Sequence, residues 1–90
     1  MKYEWDEAEC QLNLRKHGIN FMDVPSMFQH PMVLFLDRRR DYGEDRWTDI
    51  GILKTFAAVV VFTEPNEETI RIISARKATK HEEEIYRDEI

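Results

Sequence analysis

Ninety residues give one domain and one core, so any function has to come from that core and the surface around it. Hydrophobic residues make up 42% of the chain and charged residues 34%, a balance that excludes a disordered chain. The net charge of −5 argues against broad electrostatic capture of nucleic acid, and a single cysteine, Cys10, excludes an internal disulfide.

Tyr3-Glu4-Trp5 reads as a short strand-like opening. Asp6 suits a helix N-cap, Glu9 three residues on completes a capping box, and Trp5 and Cys10 take the flanking apolar positions. This helix is expected to run to about His17. Lys16 and His17 fit the negative end of its dipole, and Gly18 supplies a left-handed stop. Its apolar residues form two stripes, Ala8 with Leu12 and Cys10 with Leu14 and His17, which predicts contacts on two sides. Phe21 to Phe28 reads as a second short helix through Phe21, Val24, Met27 and Phe28. Either Asn20 caps it, or Asp23 does with Pro25 in the first turn, where a missing N–H costs little.

Beyond His30-Pro31 the period turns strand-like. Val33 to Leu36, Arg46 to Leu53, Phe56 to Phe62 and Thr69 to Ala75 are the strand candidates, rich in Val, Ile, Phe and Thr. Asp41-Tyr42-Gly43-Glu44, Lys54-Thr55 and Glu64-Pro65-Asn66-Glu67 connect them, and such short links favour an antiparallel meander. Thr79 with Glu82 forms a second capping box and opens a closing helix whose apolar residues are Ile85, Tyr86 and Ile90. Two N-terminal helices, an antiparallel sheet of about four strands and a short C-terminal helix define an α+β domain over residues 1–90. The opening residues carry no apolar signal region, and no run approaches the roughly 20 apolar residues of a membrane span. The expected location is therefore cytoplasmic, away from the membrane.

Charge is unevenly spread. Residues 71–81 hold Arg71, Arg76, Lys77 and Lys80 with no acid, whereas residues 82–90 hold Glu82, Glu83, Glu84, Asp88 and Glu89 against Arg87. A local basic site can therefore exist on an acidic chain. No metal or other cofactor is expected: Cys10 and His17 on one helix lie about 10 Å apart by the helical rise, too far to share an ion, and His30 and His81 have no ligand-like spacing.

Lys16-His17-Gly18, the spaced Phe21 and Phe28, Asp45-Arg46-Trp47 leading into Ile50-Gly51, and the block from Arg71 to Thr79 can be read together. With the opening Glu4-Trp5-Asp6 and its spacing to Asn13-Leu14, they resemble the BrnT family of toxins from type II toxin–antitoxin modules, over nearly the whole chain. The resemblance implies a RelE-like fold and a ribonuclease that stops translation and growth by cutting RNA. It also implies a ribbon-helix-helix antitoxin that silences the toxin and represses the operon. Operator DNA is then met only through the antitoxin, and a toxin–antitoxin heterotetramer is one assembly this allows.

Metal-independent RNA cleavage needs a base for the 2′-hydroxyl, cations for the phosphorane oxygens and an acid for the departing 5′-oxygen. With the resemblance, His17 is the candidate proton carrier, and Arg46, Arg71 and Arg76 are the candidate phosphate clamp. Lys16, Lys77 and Lys80 are candidates for RNA contact, and Glu82, Tyr86 and Ile90 for contact with the protein partner. Plainer readings stand beside these. His17 equally complements a helix dipole, Arg71 equally suits a salt bridge with Asp45 or Asp49, and the glutamates equally suit a solvated face. Arg38-Arg39-Arg40, set among Asp37, Asp41, Glu44 and Asp45, reads as a self-neutralised hairpin tip. The alternative function is a non-catalytic binding module that acts only through its antitoxin-like partner in operon regulation.

Overall fold

The chain forms β1 (Lys2–Glu4), α1 (Glu7–His17), a 3₁₀ helix (Phe21–Gln29), β2 (Val33–Asp37), β3 (Arg46–Leu53), β4 (Phe56–Asn66), β5 (Thr69–Lys77) and α2 (Lys80–Glu89). A computed structural model describes residues 1–37 and 45–90 of it. The Arg38-Arg39-Arg40 tip and the turn at 41–44 lie outside the described residues. Strands β2 to β5 make the expected antiparallel meander, and β1 adds a fifth strand at the edge, giving the order β1-β5-β4-β3-β2. β1 runs parallel to β5, with Lys2 opposite Thr69, Tyr3 opposite Ile70 and Glu4 opposite Arg71. The strand-like opening is therefore a true strand, and the sheet is mixed rather than purely antiparallel.

α1 starts where Asp6 accepts the Glu9 N–H at 3.1 Å; among the described residues only this half of the capping box forms. It stops at Gly18, whose φ of 71° is the left-handed value that glycine adopts without strain. Its buried residues are Cys10 and Asn13, while Ala8 and Leu12 face outward, so the two-stripe expectation gives way to a single narrow buried face. Asn13 is there because β1 ends opposite Arg71 and leaves the β5 edge open beyond it. The Asn13 amide donates to the Ala75 carbonyl at 2.9 Å and to the Ile19 carbonyl at 3.0 Å, and accepts the Ala75 N–H at 3.1 Å. One side chain thus replaces the peptide group that a neighbouring strand would have offered.

Asn20 caps the second helix, accepting the Met22 N–H at 3.0 Å. Its buried residues, Phe21, Val24 and Met27, recur every third position. That matches the three residues per turn of a 3₁₀ helix better than the 3.6 of an α-helix, so the tighter coil buries all three.

The main core lies between these two helices and one face of the sheet. Leu53, Ala58, Val60, Phe62, Ile70, Ile72 and Ala75 pack there against Cys10, Ile19, Phe21, Val24 and Met27. Phe28 joins it through rings, 5.0 Å from Phe62 and 5.6 Å from Tyr3. Gly51 belongs to this face because a Cβ there would meet Met32 Cγ at 2.8 Å. Asp49 also points this way, opposite Val60, and is 1% exposed. Burial, followed by repulsion from Glu64, pushes its carboxyl up to about 7.

On the other face Ile50 and Val59 sit opposite each other, both buried, and α2 lies against β3 there. The full Thr79–Glu82 capping box starts α2, and the Tyr86 hydroxyl donates to the Pro31 carbonyl at 3.0 Å.

Candidate active site

Residues opposite one another on neighbouring strands share a face, so register places side chains that sequence alone leaves scattered. Thr63 pairs with Arg71, and Arg71 with Glu4. Trp47 pairs with Phe62 on the core face, so Arg46, one residue earlier, falls beside Thr63 on the opposite face. Arg46, Thr63, Arg71 and Glu4 therefore form a row across four strands, at the end of the sheet away from α2. At about 4.8 Å per strand spacing, the Cα atoms of Arg46 and Arg71 are about 10 Å apart, within reach of one phosphate from both sides. The Thr63 hydroxyl between them is buried and has no hydrogen-bond partner among the described residues.

The next row holds Thr48, Val61 and Ser74, and the one after it Ile50, Val59 and Arg76. Arg71 and Arg76 thus face Thr63 and Val59, four residues apart on β4, or about 13 Å at strand rise. The three arginines expected as one clamp lie at two ends of the face.

Each has an ionic partner or neighbour in the fold. Arg71 Nη1 donates to Glu4 Oε2 at 2.9 Å, both side chains being substantially exposed. The partner is not Asp45 or Asp49: Asp49 is buried on the other face. Arg76 makes a two-pronged pair with Glu82, at 2.8 and 2.9 Å. Those hydrogen bonds hold the Glu82 carboxyl down at about 2, against the upward push of its own burial and with help from the Thr79 N–H. Arg76 and Glu82, expected on RNA and on a partner respectively, therefore hold each other and bind α2 to the sheet.

The β4–β5 ladder slips between Val61 opposite Ser74 and Phe62 opposite Ile72, so Ile73 is an extra, bulged residue. Simple alternation puts Ile73 beside Arg71; the bulge instead gives that face to Ser74. Ile73 and Ser74 floor a trough of about 640 Å³ whose other wall is α1, with Leu12, Lys16 and His17 among its lining. His17 and Lys16 thus come together at one end of that wall. Lys77 stands apart, 5.3 Å over the Phe56 ring, and Lys80 is exposed at the start of α2. Of the expected partner contacts, Tyr86 is tied to Pro31 and Ile90 is 58% exposed. Sequence reasoning missed Glu4, Thr63 and Ser74 as neighbours of the arginines, since one sequence shows alternation but not which strand lies next to which. Among the described residues no three His, Cys, Asp or Glu side chains converge as a metal-ligand set.

A meander sheet backed by two N-terminal helices, with arginines on its second face, is the architecture of a small RelE-like α+β toxin. The family model for the BrnT ribonuclease toxin of type II toxin–antitoxin systems matches residues 5–82. The crystal structure of the Brucella abortus ribonuclease toxin BrnT matches with a TM-score of 0.75 and 30% identity, over 89% of this chain and 99% of that one. No curated protein sequence matches. The chain belongs to the BrnT family and is a ribonuclease toxin of a type II toxin–antitoxin system. Such a toxin has RNA as its substrate and an antitoxin as its partner. Among the described residues no helix is long and apolar enough to cross a membrane.

Proposed function

We propose that this toxin cuts RNA without a metal ion on the sheet face carrying Arg46, Thr63, Arg71 and Glu4. The observation that supports this is the row itself, which sets the Cα atoms of two arginines about 10 Å apart across two strand spacings, on either side of Thr63. Arg46 and Arg71 grip the non-bridging oxygens, with Thr63 buried beneath them. A base takes the 2′-hydroxyl proton, the 2′-oxygen bonds to phosphorus, and the phosphorus–5′-oxygen bond breaks as that oxygen takes a proton from an acid. A 2′,3′-cyclic phosphate and a 5′-hydroxyl result. Glu4, held at 2.9 Å on Arg71, is the base nearest the clamp. His17, in the adjoining trough with Lys16, lies toward the Arg76 end and contacts the RNA beside the cut, and solvent water serves as the acid. Arg76 acts at a distance as a positioning residue, fixing α2 through Glu82, and Lys77 and Lys80 extend the positive border at the α2 end.

The partner in this reading is a ribbon-helix-helix antitoxin that meets the exposed side of α2, from Glu83 in its first turn to Ile90 at its end, in the cytoplasm where the RNA is. Two experiments test the proposal. Purified toxin should cut RNA in EDTA; activity lost in EDTA and restored by a divalent ion overturns the metal-free mechanism. Co-expression with the neighbouring small reading frame should give a co-purifying complex, and recovery of free toxin alone counts against the partner.

A further inference from the structure

Nothing in the cleavage chemistry uses the apolar wall of the trough. β1 ends opposite Arg71 and Asn13 is bonded to Ala75 further along, so α1 runs in the same direction as β5. Glu9 therefore lies toward the Arg71 end of the trough, and Lys16 and His17 lie toward the Arg76 end. Leu12 stands midway on the helix side, 59% exposed, facing the bulged Ile73 across the floor. A bulge that places an isoleucine beside an exposed leucine in one trough is a device found beside functional sites. The rim is basic through Arg15, Lys16 and His17, and the floor runs through Ser74 onto the arginine face. Its size is that of a small-ligand pocket, and its ends differ in charge.

We propose that the trough is a nucleobase subsite, holding the base next to the cut phosphate between Leu12 and Ile73. Lys16 and Arg15 meet the RNA backbone that leads into it. The Glu9 carboxylate accepts from the base edge, best where two donors lie side by side, as the N1–H and amino group of guanine do, whereas uracil offers only its N3–H and is disfavoured. Glu9 is free for this because its side chain does not close the capping box. Basic rim and apolar slot together match a nucleotide, which carries charge and a flat apolar ring in one unit.

This rests on the ribonuclease site proposed above, and the test separates the two. Wild-type toxin, Leu12→Ser and Glu9→Gln are purified and given a pool of short random RNAs, with kcat and KM measured and cut sites sequenced. Leu12→Ser should raise KM about tenfold with kcat little changed, as loss of one base contact does. Glu9→Gln should lose the discrimination against uracil beside the cut. Thermal unfolding checks each variant, and Glu9→Gln, an exposed near-isosteric change, keeps the test open if Leu12→Ser folds badly. Wild-type KM and base preference in both variants overturn the subsite while leaving the arginine row standing. So does a Leu12→Ser protein with unchanged RNA kinetics that its antitoxin no longer neutralises, since the trough is then a protein interface. A wild-type toxin that cuts no RNA in the pool removes both the row and the subsite.

Discussion

The two faces of the sheet are built from alternate residues of the same strands, and they differ in almost every physical respect. Under α1 and the 3₁₀ helix the face is apolar and closed, with Ala58, Val60, Ile72 and Ala75 at 0% exposure. On the opposite face α2 covers Ile50 and Val59, and beyond it Arg46, Arg71 and Glu4 border the buried Thr63. In the proposed reading, folding energy and chemistry are thus separated by the period of two in a strand. A substitution should damage one and spare the other.

The largest effects should come from testing that separation directly. Arg71→Ala and Arg46→Ala are each expected to lower RNA cleavage about 10²- to 10³-fold, the usual cost of removing one transition-state donor, with the urea midpoint nearly unchanged. Phe21→Ala, at a position with 0% exposure, should cost about 3–5 kcal/mol in urea unfolding and lose activity only as far as the protein unfolds. An Arg71→Ala protein that is inactive because it is unfolded breaks the comparison.

Asp49 is the exception on the closed face and sharpens the contrast. Its folded value of about 7 lies above the ordinary 3.8, so between those values the folded protein holds a proton that the unfolded chain has released. Its contribution to stability is therefore greatest below about pH 4, falls as pH rises to 7 and is level above it, by about a few kcal/mol in all. Asp49→Asn should flatten that slope, read from urea midpoints at pH 4.5 and pH 8. If the wild-type midpoint rises over that interval, the buried carboxyl is not controlling it.

Much of the fold can be read locally in the sequence. Gly18, the Thr79–Glu82 box and the four long strands all announce themselves through short-range chemistry. What escapes depends on contacts across the chain. Asn13 looks like an unremarkable polar residue until β1 is seen to stop short, and Ile73 looks like part of an alternation until the ladder slips. The arginines were legible as candidates, but their division into two ends follows from register, as does the Glu4–Arg71 pair, whose members lie at opposite ends of the sequence.

Smaller effects follow from those same contacts. Asn13→Ala leaves the Ala75 N–H and carbonyl without partners at a buried edge and should cost about 1–3 kcal/mol in urea unfolding. Restored stability in Asn13→Asp would argue that only the acceptor half matters. Glu82→Gln should be the mildest. The folded Glu82 carboxyl at about 2 lies below its ordinary 4.5, so its contribution is present above pH 4.5 and disappears as pH falls toward 2. Because Arg76 is 40% exposed, the loss at neutral pH should be about 1 kcal/mol or less, with a shallower acid limb as its signature.

Parallel pairing of the first strand with the last has a consequence for the moment of synthesis. Lys2 to Glu4 are made more than sixty residues before their partners, Thr69 to Arg71. Until then Glu4 has no Arg71, Arg46 has no opposite number, and the slot beside α1 has no floor. The nascent chain can coil its helices and zip its local hairpins early, while the longest-range pairing must wait and closes slowly. In the proposed reading a growing chain therefore has no complete arginine row, and the site is finished in one step, when β5 closes against β1.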